Sequence, residues 1–544
     1  MIMIRAILFF LLVIFIVVNS HGQQQYDLIL RGGTVYDGSG STPVVADVAI
    51  LGDTIAAIGD LSLRKGKIEL DVRGMAVAPG FINMLSWADG TLLQDGRGIS
   101  DIKQGVTLEV FGEGLSAGPR KRKPGSSLWT TLGGYFDHLE KKGVSPNFAS
   151  FVGATTIRAY VIGQQNRKPT VGELAQMKQL VKQSMLEGAM GVGSSLIYAP
   201  ATFASTEELI ELCKVAGEYG GMYITHMRSE SDKILEALNE TFKISKEADV
   251  PAEIYHLKIN QQRNWDKIDT VLFKIDSAQK AGLKISANMY PYPASATGLK
   301  ERIPIWAQEG GTPKLLDRIR NPQTRMKILF DMEHGIPTRN SDPKDVLLLG
   351  FRNDSLNKKY KGKRLDEAAK IHGKDADETV LDLLQTEKTS VPAAYFLISE
   401  RNMNRMLQLP YVSVGSDAAA PTTTKEFTDQ GSHPRAYGTF ARILGKCVRD
   451  EKLFTLEEAI RKMTSLPANH LKLKNRGMLK SGFFADVVVF DPSQVQDHAT
   501  FENPHQYSTG VSHVFVNGVQ VLKDGEPTGE KPGRCIRGPG WKSK

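Results

Sequence analysis

Cysteine is scarce in this chain: three residues, Cys213, Cys447 and Cys535, are spread over 544 positions. An odd number at such separations excludes a disulfide framework as the source of stability. Long apolar runs are also few. Ala6 to Val18 is unbroken, follows the single early cation Arg5, and leads into small and polar residues before Gln23-Gln24-Gln25. It is shorter than the roughly 20 residues a membrane span needs. Residues 1–22 therefore read as a signal peptide, with an uncleaved anchor as the alternative, and the mature protein is expected to be exported, to a periplasmic or extracellular space. No later stretch is apolar enough to span. The net charge of +8 is spread thinly; the one dense basic run, Arg120-Lys121-Arg122-Lys123, has no interleaved aromatics, which speaks against a nucleic-acid module. Repeats and low-complexity tracts are absent.

The length exceeds what a single core fills, since cores stop growing near ~300 residues. Tyr26 to Val77 alternates strand-like and turn-like pieces, among them Asp27-Leu28-Ile29-Leu30 and Thr54-Ile55-Ala56-Ala57-Ile58. Ala485 to Phe490 and His513 to Leu522 repeat that texture near the other end. Residues 23–78 and 470–544 are thus read as one small antiparallel-sheet domain built from both chain ends. Between them helical and strand patterns alternate: Val171 to Glu187, Gly191 to Tyr198, Thr206 to Tyr219, Met222 to His226. That alternation argues for parallel βα units, an α/β chain whose residues 79–469 form a (β/α)8 barrel. The stretch at about 297–377, rich in Lys, Arg, Asp and Pro, breaks the rhythm and reads as an insertion able to cover a site.

Three strand-like runs end in metal-capable side chains: Tyr223-Ile224-Thr225-His226, Glu253-Ile254-Tyr255-His256, and Val412-Ser413-Val414-Gly415-Ser416-Asp417. In a barrel of this kind the carboxyl ends of different strands converge on one face, so these three side chains can meet there although they lie far apart in sequence. Each alone also reads as an ordinary residue: a core histidine, or an aspartate capping a turn.

A set of local motifs resembles the amidohydrolase superfamily, and within it the D-aminoacylase (N-acyl-D-amino-acid deacylase) family. They are Ala78-Pro79-Gly80-Phe81-Ile82-Asn83, Gln104-Gly105-Val106-Thr107, Thr225-His226-Met227-Arg228, His256-Leu257-Lys258, Tyr290-Pro291-Tyr292, Gly415-Ser416-Asp417 and Ser432-His433-Pro434-Arg435. Their shared order covers nearly the whole mature chain. The resemblance implies a TIM-like metal-dependent hydrolase barrel with a two-ended β-sandwich, acting on small N-acyl-amino-acid substrates.

It also implies roles. His226 and His256 match ligands of the tightly held zinc, and Asp417 the late aspartate that shuttles the proton. The family's third ligand is a cysteine, absent from Phe111-Gly112-Glu113-Gly114-Leu115; Glu113 falls within one position of it and is either the ligand or a loop carboxylate. One Zn²⁺ per chain is expected. The His-x-His that amidohydrolases place after the first strand reads Leu85 and Trp87 here, so a paired metal site is not expected. Lys258, two residues beyond His256, points to the same side and is expected to reach the substrate; Arg435 is the candidate carboxylate clamp. Tyr290 and Tyr292 either donate hydroxyls to the substrate or plug the core. Ser295 is a weaker candidate, competing with Ala296. The alternatives to deacylation are another linear or cyclic amide or a dipeptide as substrate, or a barrel that binds without turnover. Acyl and amino-acid preference and oligomeric state are not legible.

Overall fold

The computed structural model describes residues 25–121, 129–335, 341–429 and 431–542. The expected signal peptide and Arg122-Lys123 of the basic run lie outside them.

The alternation Val487-Val488-Val489-Phe490 decides how the two ends of the chain meet. Val487 and Val489 face one apolar cluster with Leu28, Leu30, Val48 and Ile50, whereas Val488 and Phe490 face another with Ala76, Ala78 and Phe81. A strand's period of two lets one short run seal two cores at once. Each such fully buried side chain contributes roughly 1.5–3 kcal/mol. Strand Val487–Phe490 pairs antiparallel with Ala76–Pro79 on one side and Val511–Val516 on the other. The resulting nine-stranded sheet takes in Tyr26–Val35, Val44–Leu51, Thr54–Gly59 and Gly66–Asp71 from the amino end and Val519–Lys523 and Glu526–Pro527 from the carboxyl end. The buried pair Arg476–Asp486, with Asn517 accepting from Arg476, braces the carboxyl-terminal part of this sheet.

The last described residues leave this sheet. Gly533, Ile536 and Gly538 donate backbone hydrogen bonds to the carbonyls of Val144, Phe148 and Gly188 in the second unit, satisfying groups that would otherwise be buried unpaired.

That second unit is TIM-barrel-type, built from parallel strands and the helices between them. Phe81–Asn83, Val106–Phe111 and Asn147–Ser150 form one parallel set; Val152–Gly153, Gly191–Ser195, Met222–His226, Ala252–Ile254, Ile285–Met289 and Val412–Val414 form another, in that spatial order. Phe151 N donates to the Phe111 carbonyl at 2.9 Å, and Met84 N to that of Val414 at 3.3 Å, so the two sets join at both edges. The strands are buried along their whole length, as parallel strands covered on both faces must be. The covering helices are amphipathic. Thr206–Glu218, capped by Ser205 on Glu208 N, turns Leu209, Leu212, Cys213 and Ala216 inward. Burial pushes the Cys213 thiol well up, so it packs as an apolar side chain.

The inserted segment has an apolar core of its own, containing Leu299, Ile303, Leu315, Ile319, Val346, Leu348, Val380, Leu384 and Tyr395. Its strands Ser295–Gly298, Val346–Leu348 and Pro392–Tyr395 make a small antiparallel sheet. The segment therefore runs on to about Leu397, past Asp377, because helix Ala376–Glu387 buries Val380, Leu381 and Leu384 in that same cluster. No helix among the described residues is long and apolar enough to cross a membrane.

Beneath the strand ends two carboxyl groups meet away from solvent. Asn83 Nδ2 bridges Glu109 Oε2 at 3.1 Å, Asp101 Oδ2 at 3.5 Å and Ser416 Oγ at 2.8 Å. Burial, then the charge of Glu109, holds Asp101 well above the ordinary carboxyl range. The folded chain thus keeps a proton that the unfolded chain releases once the pH passes about 3.8. Stability from this pair is full below that pH and is lost as pH rises toward the folded value. Denaturant midpoints measured from about pH 5 to about pH 8 should fall in the wild type and fall less in Asp101→Asn; equal slopes would show that the pair does not titrate this way.

Candidate metal centre

Glu113 stands between two glycines, and both are required. Gly112 and Gly114 have φ of +107° and +71°, and a Cβ would lie 2.5 Å from the Phe151 carbonyl oxygen at the first and 2.0 Å from Ser195 Oγ at the second. The sharp turn carries the Glu113 carboxylate inward over the strand ends. His226 ends strand Met222–His226, and His256 lies two residues past Ala252–Ile254, its φ of +35° held by the Asn288 side chain, which accepts from His256 N at 2.9 Å. Glu113 Oε1 is 2.7 Å from His226 Nδ1 and 3.3 Å from His256 Nε2. One ligand atom from each of the three residues lies within 4.8 Å of the other two, and all three residues are buried. The imidazole rings are perpendicular, with centroids 4.4 Å apart, and Tyr198 abuts His226 edge to face.

The electrostatics describe a ligand set. Burial pushes His226 down. Burial and Lys258 push His256 down too, but the carboxylates of Glu230 and Glu113 outweigh them and bring it up to about 9. Burial pushes Glu113 up, yet hydrogen bonds from both histidines outweigh it and lower the carboxyl to about 2. Two imidazoles converging on one buried carboxylate oxygen form a mixed nitrogen and oxygen donor set that suits a divalent cation. The residues fit a metal ion.

Lys258 lines the same cavity but is engaged. Its Nζ donates to Glu230 Oε1 at 2.5 Å and lies 2.7 Å from His256 Nδ1, while Glu230 Oε1 is 3.0 Å from that same nitrogen. Lys258, expected to reach the substrate, is in this structure paired with Glu230: its buried ammonium neutralises that carboxylate and lies against His256. Glu230, fully buried and also accepting from Asn260, is a neighbour of the site that is absent from the sequence-based candidates. Its only signal was its position four residues beyond His226.

Asp417 faces the two histidines. Its Oδ2 is 4.0 Å from His256 Nε2 and 2.7 Å from an Arg435 guanidinium nitrogen, and its Oδ1 accepts from the Trp87 indole at 3.2 Å. The left-handed φ of +51° turns the side chain inward, and Asp417 N donates to the Leu85 carbonyl. Neither Tyr290 nor Tyr292 is among the residues that line the cavity. Tyr290 is fully buried with the Arg435 guanidinium 4.7 Å over its ring; Tyr292 packs under Arg442 at 4.8 Å and against His433. Both rings lie against charged side chains of the barrel. Ser295 and Arg435 do line the cavity, which has a volume of about 950 Å³ and extends under the insertion to Lys300, Glu301 and Gln308.

Comparison with known proteins supplies the family. The sequence model of the amidohydrolase family matches residues 398–522. Along 95% of its length the chain is 36% identical to a D-aminoacylase of Alcaligenes xylosoxydans xylosoxydans, and covers 99% of that relative. The chain belongs to the D-aminoacylase family of amidohydrolases. Two solved structures align over 94% of this family member and all of their own chains. One is the N-acyl-D-glutamate deacylase of Bordetella bronchiseptica complexed with zinc and a phosphonate mimic of the tetrahedral intermediate, at 28% identity and a TM-score of 0.80. The other is a D-aminoacylase described for its binuclear metal center, with one-metal activation and second-metal attenuation, at 34% identity and a TM-score of 0.79.

Proposed function

We propose that this D-aminoacylase family member is a zinc-dependent hydrolase that removes the acyl group from N-acyl-D-amino acids, and that it uses one zinc ion. The observation that carries the reading is the convergence of Glu113, His226 and His256 at one buried point with Asp417 facing them across the cavity.

A zinc ion held by Glu113, His226 and His256 would supply Lewis acidity and lower the pKa of a water to about 7. Asp417 takes the proton of the attacking water and returns it to the amine nitrogen as the amide C–N bond breaks. Glu230, paired with Lys258, accepts from the Nδ1 side of His256 and leaves Nε2 facing the metal point, as an outer carboxylate does in many metal sites. Arg435, rigid against Tyr290, offers its remaining N–H groups to the substrate carboxylate. The cavity lies near the top of the roughly 300–1,000 Å³ range of ligand pockets, leaving room for acyl groups larger than acetyl.

The finer architecture belongs to the same proposal. The strand pairings support eight parallel strands once Asn147–Ser150 and Val152–Gly153, one residue apart, are counted together, and a β-sandwich contributed by both chain ends. The apolar run Ala6 to Val18 supports export to a periplasmic or extracellular space.

A panel of N-acetyl-D-, N-acetyl-L- and cyclic amide substrates tests the activity. The expected result is kcat/KM at least about a hundred-fold higher for D than for L isomers. Preference for a cyclic amide would overturn the substrate assignment.

A further inference from the structure

The positions that amidohydrolases fill with His-x-His hold Leu85 and Trp87, and the two side chains diverge in use. Leu85 is buried in a cluster with Ile82, Leu108, Val110 and Tyr255. Trp87 lines the cavity, and its backbone N–H binds the Ala418 carbonyl at 2.9 Å, locking the start of this loop to the Asp417 loop. Its indole N–H then donates to Asp417 Oδ1 at 3.2 Å, while Arg435 holds Oδ2 at 2.7 Å. One oxygen of a carboxylate whose side chain is only 11% exposed is thereby hydrogen-bonded by a fixed neutral donor, and the other lies in an ion pair with a fixed cation. A second cation bridging to Asp417 from this side would have to displace the indole, and no nitrogen or oxygen ligand is present at Leu85 or Trp87 to receive it.

We infer that Trp87 is a positioning residue that holds Asp417 in its reactive orientation and closes the place of a second metal ion, so that excess zinc does not attenuate this enzyme. The inference rests on the one-zinc deacylase reading and goes beyond it by assigning the control of Asp417 to an indole N–H. Trp87 touches neither zinc nor the scissile bond; it acts through Asp417.

Three readouts on the mature chain test it, using wild type, Trp87→Phe and Asp417→Asn. Zinc isotherms by equilibrium dialysis should show one bound equivalent in wild type and in Trp87→Phe, with no second equivalent in wild type at excess zinc and no loss of rate there. With 5-fluorotryptophan incorporated, the ¹⁹F resonance missing from Trp87→Phe, one of five, should shift in Asp417→Asn. Steady-state rates should show kcat lowered about ten-fold or more in Trp87→Phe with KM changed less than about three-fold, as expected for losing a hydrogen bond to a charged group. A second zinc equivalent in wild type, an unmoved resonance, unchanged kcat, or loss of the first zinc in Trp87→Phe would each overturn the inference. If wild type turns over no N-acyl-D-amino acid, the deacylase reading fails, while the isotherm and the resonance still decide the Trp87–Asp417 contact.

Discussion

Replacing His256 with alanine should empty the metal site and lower kcat/KM at least about a thousand-fold. The imidazole supplies one of three donors at a buried point, and no neighbouring side chain can replace it: Lys258 is committed to Glu230, and Asp417 is held by Arg435 and Trp87. With the metal absent, the several kcal/mol it supplies to the transition state are lost, and each 1.36 kcal/mol is tenfold in rate. Removal of the imidazole also leaves Glu113 and Glu230, both buried, with one fewer hydrogen-bonding partner. Zinc content and kcat/KM on the same preparation check this. Retention of a full equivalent of zinc in His256→Ala would show that the ligand set is drawn wrongly.

Asp417→Asn separates chemistry from metal binding. The amide keeps the size of the carboxylate and an acceptor for the Trp87 indole, but it can neither take a proton from water nor pair ionically with Arg435. Zinc should stay at the wild-type content, while kcat falls about 10²–10⁴-fold, the usual contribution of a positioned acid–base group. A fall in kcat of only a few-fold would move the proton shuttle elsewhere in the cavity.

The metal point was legible because each of its histidines sits at or just past the end of an apolar strand, where side-chain direction follows from a period of two and from barrel geometry. Glu113 was legible only through the family resemblance, which puts it within one position of the family's cysteine ligand; the clash a Cβ would make at either flanking glycine is visible only in the fold. Glu230 was not, because it lies in an irregular loop with no periodicity to give its direction; only the fold places it against His256 and Lys258. Lys258 lies on the side of the chain that was expected, but its occupation by Glu230 depends on that hidden carboxylate. Tyr290 and Tyr292 follow a strand in a Pro-containing loop, where alternation no longer gives direction, and only the fold shows both rings lying against arginines. The insertion's far boundary was blurred for a related reason. Helix Ala376–Glu387 is amphipathic whichever core it faces, and its composition does not say that Val380 and Leu384 belong with Leu299 and Tyr395.

Metal stoichiometry coupled to substrate chirality is the decisive measurement. Protein purified without added metal should be measured for zinc per chain, and the same sample assayed against paired N-acetyl-D- and N-acetyl-L-amino acids. About one zinc per chain with D-selective hydrolysis is the expected result. Two ions per chain, or none with no activity regained on adding zinc, would contradict it.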